Sequence, residues 1–234
     1  MSHVSESRVP SPESRPLPIA VLASGRGSNL AALIDARAAG RLPVNFALVA
    51  GDKADAPALR NAEAHGIPTF ALDPKTFTTR REFDQALFAN IAASGAQLVV
   101  LAGYMRIIDP SVIAPWSGRM INIHPSLLPK YRGLHTHRRA LEAGDAKCGA
   151  SVHFVSAELD GGPMIAQTCM GVRPGDTEES LAARLLPEEH RLLTAVVDAI
   201  ARGHVDERGG TVRFHDRPIE APLRLDNNGR LMAA

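Results

Sequence analysis

Short runs of uncharged, apolar residues recur along the first half of the chain, and helical periodicity follows each run. Three of these runs are PIAVLAS (18–24), VNFALVAG (44–51) and LVVLAG (98–103). Between the last two, Phe83, Leu87 and Ile91 lie at positions i, i+4 and i+8, which is the spacing of one helix face. Strands without polar alternation are typical of sheets covered on both sides. The pattern predicts an α/β, Rossmann-like fold with a mainly parallel twisted sheet and helices on both faces.

The second half of the sequence departs from this alternation of strands and helices. MINIHP (120–125) continues the strand pattern, and residues 135–143 read as a short helix. CGASVHFV (148–155) and MIAQTCMGV (164–172) then bracket the loop SAELDGGP, whose Gly-Gly-Pro link predicts an antiparallel C-terminal extension of the sheet. A last helix is expected to start with a capping box at Asp176 and Glu179, and Pro187 is expected to kink or split it. Whether GGTVRFHDRP (209–218) adds an edge strand is left open.

Composition excludes several classes of function. The chain of 234 residues has 26 Lys and Arg against 25 Asp and Glu, so it offers no bulk attraction for nucleic acid or an anionic membrane. No apolar stretch approaches the roughly 20 residues of a membrane-spanning helix. With only two cysteines and no secretory apolar segment, a cytoplasmic protein is expected. Residues 1–16 are predicted to be a disordered leader and residues 17–234 a single domain.

A glycine-rich turn, Gly25 to Asn29 (GRGSN), separates the first strand from the first helix. Glycines let backbone N–H groups approach an anion at a helix N-terminus, so this turn could hold a phosphate; a tight strand-to-helix turn is the plain alternative. A dinucleotide fingerprint would place a third glycine where Leu30 stands, and the Lys-Ser/Thr pair of a P-loop is absent. A monophosphate is therefore favoured over a dinucleotide.

Asn122 and His124 stand two residues apart at the end of a predicted strand and point to the same face. An imidazole exchanges protons near neutral pH, and an amide can donate to a developing oxyanion, which suits acyl transfer to an amine. Asp160, before two glycines, is the natural carboxylate partner and is expected to raise the pKa of His124 above its usual value of about 6.5. The alternatives are that these residues cap a proline-rich loop and that Asp160 is an exposed turn residue.

A metal site must also be considered, because four histidines lie within thirty residues: His124, His135, His137 and His153. The side chains of His135 and His137 diverge by about 200° on a helix, and His153 can be a hydrogen-bonded core histidine. The acid–base role of His124 is favoured over metal binding.

Five stretches taken together resemble glycinamide ribonucleotide formyltransferase. They are LASGRGSNL, LAGYMRI, INIHPSLLPKYRGLHTHRRALEAG, GASVHFV and ELDGGPMIAQ, and the similarity runs from about Pro18 to Ala201. The resemblance implies transfer of the formyl group of 10-formyltetrahydrofolate to the amino group of glycinamide ribonucleotide in purine synthesis. It implies small-molecule substrates, no metal, no nicotinamide, no nucleic acid and no membrane partner, in a monomer or homodimer.

The resemblance also assigns roles to residues of this chain. Asn122, His124 and Asp160 match the catalytic trio. The turn residues Gly27, Ser28 and Asn29 match the phosphate site, and Glu189 matches the carboxylate that receives the ribose hydroxyls, although Leu186 and Pro187 beside it depart from the family pattern. The residues expected to contact the folate, together with Asn122, are Arg80, Met105, Arg106, Ile107, Ile108, Ser156, Ala157, Glu158, Leu159 and Asp160, with Arg80 facing the glutamate tail.

Four rival functions are kept. Methionyl-tRNA formyltransferase shares the trio and the YRG spelling at residues 131–133 but adds a C-terminal nucleic-acid-binding domain. A formyltetrahydrofolate hydrolase would carry a regulatory domain ahead of the core. A nicotinamide dehydrogenase would bind NAD(H), and a catalytically dead relative would bind folate without transfer.

Overall fold

The computed structural model describes residues 15–226 and 228–233, so most of the predicted leader lies outside the described residues. Their helices are α1 (Ser28–Ala38), α2 (Pro57–Ala64), α3 (Arg80–Ala93), α4 (Pro110–Ile113), α5 (Thr136–Glu142) and α6 (Glu178–Ala201). Their strands are β1 (Leu17–Leu22), β2 (Val44–Gly51), β3 (Thr69–Ala71), β4 (Leu98–Leu101), β5 (Met120–His124), β6 (Lys147–Phe154), β7 (Met164–Gly171), β8 (Val205–Arg208), β9 (Thr211–Phe214), β10 (Arg217–Pro218), β11 (Arg224–Leu225) and β12 (Leu231–Met232).

The main sheet has seven strands in the order β3-β2-β1-β4-β5-β6-β7. The strands from β3 to β5 pair in parallel, and β6 and β7 join antiparallel. The predictions of a Rossmann-like, mainly parallel sheet and of an antiparallel extension are therefore confirmed. The strand order reverses between β1 and β4, and ligands of such sheets bind outside the carboxyl ends of the strands at this point. The loops after β1, β4 and β5 meet at that edge.

Helices cover both faces of the parallel strands, as predicted. One apolar cluster joins α1, α2 and α6 to one face of the sheet, and a second joins α3 and α4 to the other. Strand β4 is buried throughout, with no residue more than 6% exposed, because both clusters enclose it. Alternate residues of β1 also divide between the two clusters: Ile19 and Val21 belong to the first, Ala20 and Leu22 to the second. This rigid double-sided core holds the loops at the carboxyl edge in place.

The antiparallel part of the sheet, where β6 pairs with β5, has one apolar face and one polar face. Ile121, Ile123, Val152 and Phe154 of β5 and β6 belong to the first core cluster. The alternate residues are polar, namely Asn122, His124, Ser151 and His153, and the last three are buried. Burial of three polar side chains on one face requires hydrogen-bond partners, and loops supply most of them here. This polar face forms the floor of the candidate site.

Two details of α6 correct the sequence predictions. The capping box consists of Thr177 and Ser180, one residue beyond the predicted pair, because Asp176 instead accepts hydrogen bonds from the N–H of Arg173 at 2.7 Å and the hydroxyl of Ser180 at 3.0 Å. The helix is also not split at Pro187, which lies exposed inside one continuous element. The buried residues of the later turns, Leu192, Leu193, Val196 and Val197, pack this helix against the sheet.

The segment GGTVRFHDRP does not extend the main sheet. It supplies β9 and β10, which form a separate three-stranded antiparallel sheet with β8. Farther along the chain, Leu223 forms a parallel bridge with Ala166 of the edge strand β7, and β11 pairs with β12. Val205, Val212 and Leu223 belong to the same core cluster as α6, so the C-terminal strands pack on the main body. No helix within the described residues is both long and apolar enough to cross a bilayer.

Candidate active site

His124 ends β5 with both ring nitrogens next to oxygen acceptors. The residue is 6% exposed. Its Nε2 lies 2.9 Å from the backbone carbonyl oxygen of Tyr131, and its Nδ1 lies 3.4 Å from Oδ2 of Asp160. A carbonyl oxygen only accepts, so Nε2 carries a hydrogen and donates it to Tyr131. Nδ1 is therefore the nitrogen that faces the carboxylate and is available for proton exchange.

Asp160 reaches the histidine from the loop between β6 and β7. Its backbone is left-handed, with φ 48°, and a Cβ added at Gly162 would lie 1.9 Å from a backbone carbonyl oxygen, so the tight turn requires that glycine. Oδ2 of Asp160 accepts the N–H of Gly133 at 2.8 Å, and Oδ1 accepts Nδ2 of Asn122 at 3.3 Å. The carboxylate therefore links the amide to the imidazole, and the structure brings all three predicted residues together.

His153 is a site residue that sequence reasoning left as a core histidine. It is 2% exposed and lies directly opposite Asn122 in the antiparallel pairing of β5 with β6. Its Nδ1 donates to the carbonyl oxygen of Phe154 at 2.8 Å, which leaves Nε2 as an acceptor 3.3 Å from Nδ2 of Asn122. The same Nε2 lies 3.7 Å from Oδ1 of Asp160. Strand register brings His153 to Asn122, and periodicity alone carries no information on which strands pair.

Burial sets the protonation of the site. The pKa of His124 is lowered, because desolvation of the buried ring outweighs the hydrogen bond to Tyr131 and the charge of Asp160, both of which raise it. The prediction that Asp160 would raise this pKa above its usual value is therefore wrong in its net direction. Burial alone would raise the pKa of Asp160, but the nearby rings of His153 and His124 and the hydrogen bond from the N–H of Gly133 hold it below its usual range. A carboxylate and a neutral imidazole face each other at neutral pH.

A cleft of about 400 Å³ opens above this group. His124, Asn122 and Asp160 line it, and so do Gly133 to His137 and Glu178. Four large apolar side chains of its rim are unusually exposed: Met105 (66%), Ile107 (55%), Leu134 (65%) and Leu159 (48%). Exposed apolar surface concentrated around polar groups is characteristic of a ligand site. Among the residues that the structure describes, no three His, Cys, Asp or Glu side chains form a metal-binding group.

A narrower slot of about 90 Å³ adjoins the cleft, and the predicted folate residues Arg106, Ile107, Ile108 and Ser156 to Asp160 line it. Side chains of the loop after β4 alternate, since Tyr104 and Ile108 are buried while Met105 and Ile107 face outward. Met105 lines only the larger cleft. Arg80, the first residue of α3, is exposed and is not part of the lining of either cavity.

Comparison with known proteins agrees with this geometry. A family model described as formyl transferase matches residues 17–197. The chain belongs to the formyl transferase family. The phosphoribosylglycinamide formyltransferase of Escherichia coli (strain K12) is 46% identical over 187 residues, which cover 80% of this chain and 88% of that protein. The trifunctional purine biosynthetic protein adenosine-3 of Homo sapiens is 40% identical over 187 residues, covering 80% of this chain but 18% of that protein.

A solved structure of the phosphoribosylglycinamide formyltransferase from Coxiella burnetii has a TM-score of 0.84 and 41% identity, covering 88% of this chain and 96% of that one. Membership of the formyl transferase family confirms the resemblance stated from the sequence and the expectation of a formyl-transferring enzyme. The same membership removes the nicotinamide dehydrogenase from the candidate functions.

In this formyl transferase the residue before the glycine turn is hydrogen-bonded to the loop after β4. Gly27 caps α1 in a left-handed conformation, with φ 74°. Ser24, just before the turn, donates its N–H to the carbonyl of Gly103 at 3.1 Å and accepts the N–H of Met105 at 3.1 Å. The residue before the turn is therefore tied to the loop whose side chains line the cleft.

Asn29 and Glu189 meet across this turn. Asn29 donates from Nδ2 to Oε2 of Glu189 at 3.4 Å, and its own Oδ1 is buried without a hydrogen-bond partner in the part of the chain that the structure describes. Glu189 is 9% exposed, and burial raises the pKa of its carboxyl group. Two buried polar groups with unused hydrogen-bonding capacity are what a hydroxyl-bearing ligand would satisfy.

Asp84 supports the loop after β4 and was missed by sequence reasoning, because a lone aspartate on a helix reads as a solvated residue. It is fully buried in α3 and accepts the N–H of Asp109 at 2.7 Å. Burial raises the pKa of Asp84, against the lowering effects of that N–H and of the charges of Arg80 and Arg106. The guanidinium of Arg106 lies 4.9 Å above the ring of Phe83. Helix α3 thus anchors the inward residues of the loop, and the outward ones face the cleft.

Proposed function

We propose that this enzyme transfers the formyl group of 10-formyltetrahydrofolate to the amino group of glycinamide ribonucleotide, a step of purine biosynthesis. The observation that carries the proposal is the convergence of Asn122, His124 and Asp160 on one cleft. The relatives support the choice of substrates, because those of Escherichia coli and Coxiella burnetii are phosphoribosylglycinamide formyltransferases.

The acid–base chemistry follows from the two ring nitrogens of His124. The neutral amine of the ribonucleotide attacks the formyl carbon. One N–H of the Asn122 amide leaves its long 3.3 Å hydrogen bond within the site and donates to the oxygen as it becomes an oxyanion. The new ammonium loses its proton to Nδ1 of His124, directly or through water, while Nε2 keeps its hydrogen on Tyr131. Asp160 stabilises the imidazolium so formed, 3.4 Å away. The proton then passes to the departing folate nitrogen as its bond to the formyl carbon breaks, and the histidine returns to its neutral form.

The low pKa of His124 suits this sequence of events. A histidine that is already protonated cannot accept the proton of the amine, and burial keeps the ring neutral near pH 7. The sequence-based expectation of a raised pKa would favour a histidine protonated before the attack; with the lowered pKa, we propose that the ring becomes protonated during it.

For substrate binding, we place the ribonucleotide phosphate on the turn residues Gly27, Ser28 and Asn29 and the ribose hydroxyls on Glu189. The unused hydrogen-bonding capacity of Asn29 and Glu189 supports this assignment. The folate is placed in the slot and along Met105 to Ile108 and Ser156 to Asp160, since an apolar slot with backbone amides suits a flat heterocycle. Arg80, exposed outside both cavities, is assigned to the glutamate tail, which extends beyond the slot.

Residues 17–234 are proposed to form one domain that works in the cytoplasm. The C-terminal residues Val205, Val212 and Leu223 share the core cluster of α6, which supports one folding unit. Cys148 and Cys169 are free thiols, as in a reducing compartment.

The test mixes the purified protein with 10-formyltetrahydrofolate and glycinamide ribonucleotide and follows the absorbance of the folate product, with the amine omitted as a control. The expected result is turnover that requires the amine. Turnover without the amine would indicate a hydrolase, and folate binding without turnover would indicate an inert relative; either result would overturn the proposal. Asn122→Ala should lower kcat by about 10² to 10³, which is the contribution of one oxyanion donor, while folate still binds.

A further inference from the structure

Gln167 of β7 stands in one row with the catalytic histidine across three strands of the main sheet. His124 of β5 lies opposite Ser151 of β6, and Ser151 lies opposite Gln167 of β7. Side chains that lie directly opposite one another in a sheet extend from the same face. Gln167 is half-buried, in the last strand of the sheet order. The register therefore places its side-chain amide on the face that carries His124.

The amide of Gln167 uses both of its hydrogens within a closed network. Nε2 donates to the backbone carbonyl of Leu128 at 2.8 Å and to Oγ of Ser151 at 2.9 Å. Oγ of Ser151 also accepts the N–H of Leu128 at 3.1 Å and donates its own hydrogen to the carbonyl of Ser126 at 2.7 Å. A hydroxyl has one hydrogen and two acceptor positions, so these bonds use its full capacity. Because Ser151 is fully buried and Leu128 is 5% exposed, the network is shielded from water and rigid.

The loop from β5 to α5, which contains Leu128, holds the catalytic pair His124 and Asp160 through its backbone. The carbonyl of Tyr131 lies 2.9 Å from Nε2 of His124. The N–H of Gly133 donates to Oδ2 of Asp160 at 2.8 Å. Only two residues separate Leu128 from Tyr131, so a shift of the first is passed on to the second. The anchor at Leu128 therefore determines where both backbone groups meet the catalytic pair.

The backbone of Gln167 is itself held on both sides. One side pairs with β6, and on the other the N–H of Gln167 donates to the carbonyl of Leu223 at 2.9 Å. The N–H of Leu223, which is fully buried, donates in turn to the carbonyl of Ile165 at 2.9 Å. Gln167 lines a groove of about 600 Å³ that, within the described residues, shares no lining residue with the cleft. Its route to the reaction is the loop.

We propose that Gln167 is a positioning residue: by anchoring Leu128, its amide holds the loop whose backbone orients the catalytic pair. This inference rests on the proposed function for the identity of the two substrates. The anchor itself rests on the register of three strands and on the hydrogen bonds of Gln167. The carbonyl of Tyr131 accepts a hydrogen from Nε2 of His124 in the Nε2–H tautomer and in the imidazolium, so the anchor is the same for either protonation state.

Gln167→Met keeps the length of the side chain and removes both donors. We expect kcat to fall about ten- to a hundredfold, because a misplacement of about 1 Å at a reacting group costs up to about 10²-fold. The KM for the folate should stay within about twofold, since the loops after β4 and β6 line the slot and keep their contacts with it. A parent-like kcat, or a change confined to KM, would overturn the proposal.

Cys169→Ala is the matched control. Cys169 lies two residues farther along β7, so it extends from the same face as Gln167, and it is exposed in the same groove. Its kcat should stay within about twofold of the parent, as for an ordinary surface substitution. Equal losses of kcat in Gln167→Met and Cys169→Ala would mean that any change in this part of β7 disturbs the enzyme, and the specific role of the amide would be refuted.

A double-mutant cycle with His124→Ala separates positioning from general damage to the fold. If Gln167 acts through the histidine, its removal has little left to disturb once the imidazole is gone. Gln167→Met should therefore lower the residual kcat of His124→Ala by less than about twofold. A further loss as large as that seen in the parent background would show that the two residues act independently, and the positioning role would fall.

Amide hydrogen exchange measures the anchor without any substrate. In Gln167→Met the N–H groups of Leu128 and Gly133 should exchange about tenfold faster than in the parent, while the buried strand β4 keeps its protection. If Gln167→Met does not fold, Gln167→Glu, which has the same shape and no hydrogen to donate when ionised, replaces it in every measurement. Unchanged exchange overturns the positioning role, whereas a parent protein that fails to formylate the ribonucleotide overturns the proposed function.

Discussion

Gly27 in the glycine turn faces two separate constraints, and Gly27→Ala should therefore be among the most damaging single-methyl changes in this chain. The residue has φ 74°, and a Cβ placed on it would lie 2.6 Å from Cβ and 2.8 Å from Cα of Ala58 in α2. The backbone of α2 is itself fixed to the turn, because the N–H of Ala58 donates to the carbonyl of Gly25 at 3.2 Å. Neither partner can move away without breaking the contact between the turn and α2.

The expected cost is the sum of the two constraints. A left-handed backbone costs an L-residue about 1 to 2 kcal/mol, and an added methyl in a closely packed place costs about 1 to 3 kcal/mol. Gly27→Ala should therefore lose about 2 to 5 kcal/mol of unfolding free energy. At roughly 2 to 4 °C per kcal/mol for a chain of this size, the Tm should fall by about 4 to 20 °C. The KM for the ribonucleotide should rise as well, since the backbone N–H groups of the turn shift.

Substitution of two other glycines separates the backbone cost from the packing cost. Gly40 has φ 69° but open space around its Cβ position, so Gly40→Ala should lose only the backbone cost, about 1 to 2 kcal/mol. Gly25 has neither a positive φ nor a neighbour within 4 Å, so the Tm of Gly25→Ala should be nearly unchanged or slightly raised. Thermal unfolding by circular dichroism measures all three. If Gly27→Ala lost no more stability than Gly40→Ala, the argument from contact with Ala58 would be refuted.

Two further predictions concern charged residues of the site. Glu189→Gln should raise the unfolding free energy at pH 8 by about 1 kcal/mol, because burial raises the pKa of Glu189 and the variant carries no buried charge. The gain should shrink toward pH 5, and the KM for the ribonucleotide should increase. Urea unfolding at both pH values measures the gain in stability, and a gain independent of pH would contradict the prediction. Asp160→Asn should lower kcat about a hundredfold and move its acid limb to lower pH, because Asp160 raises the pKa of His124. An unchanged pH profile would remove Asp160 from the mechanism.

The fold could be predicted from the sequence because its information is local. Uncharged runs such as LVVLAG predict strands, and a strand is present at each of the runs that became β1, β2 and β4 to β7. Burial on both sides holds for β4 but not for the edge strand β7. The start of α6 shows where local information ends. Asp176 and Glu179 fit the capping pattern as well as Thr177 and Ser180 do, but Asp176 is engaged by the N–H of Arg173 and by the side chain of Arg184. Asp176 is thus engaged in part by a residue eight positions away, which a motif of four residues cannot include.

The residues of the site also divide into those placed by local sequence spacing and those placed by contacts between distant parts of the chain. Asn122 and His124 share a strand, so their common face follows from the spacing of two residues. The contribution of His153 depends on the register of β5 against β6, and that of the Tyr131 carbonyl depends on how a whole loop folds. The pKa of His124 was predicted in the wrong direction because sequence reveals a possible charged partner but not the extent of burial. Desolvation is a property of the complete packed structure, and in this site it outweighs the partner.

The sign of that shift has a consequence for stability. The folded pKa of His124 is below its unfolded value of about 6.5, so below that pH the unfolded chain binds a proton that the folded chain does not. The stability associated with the neutral ring is fully present above about pH 6.5 and is lost as the pH falls through the folded pKa, with a slope of up to about 1.4 kcal/mol per pH unit. His124→Asn has no titrating ring, so the unfolding free energy of the parent minus that of the variant should decrease between pH 7.5 and pH 5.5. Comparing the two proteins cancels the opposite trends of Asp84 and Glu189, whose pKa values burial raises. If urea unfolding gave the same difference in unfolding free energy between parent and variant at both pH values, His124 would titrate in the folded protein as it does in the unfolded chain. A neutral resting histidine would then no longer follow from its burial.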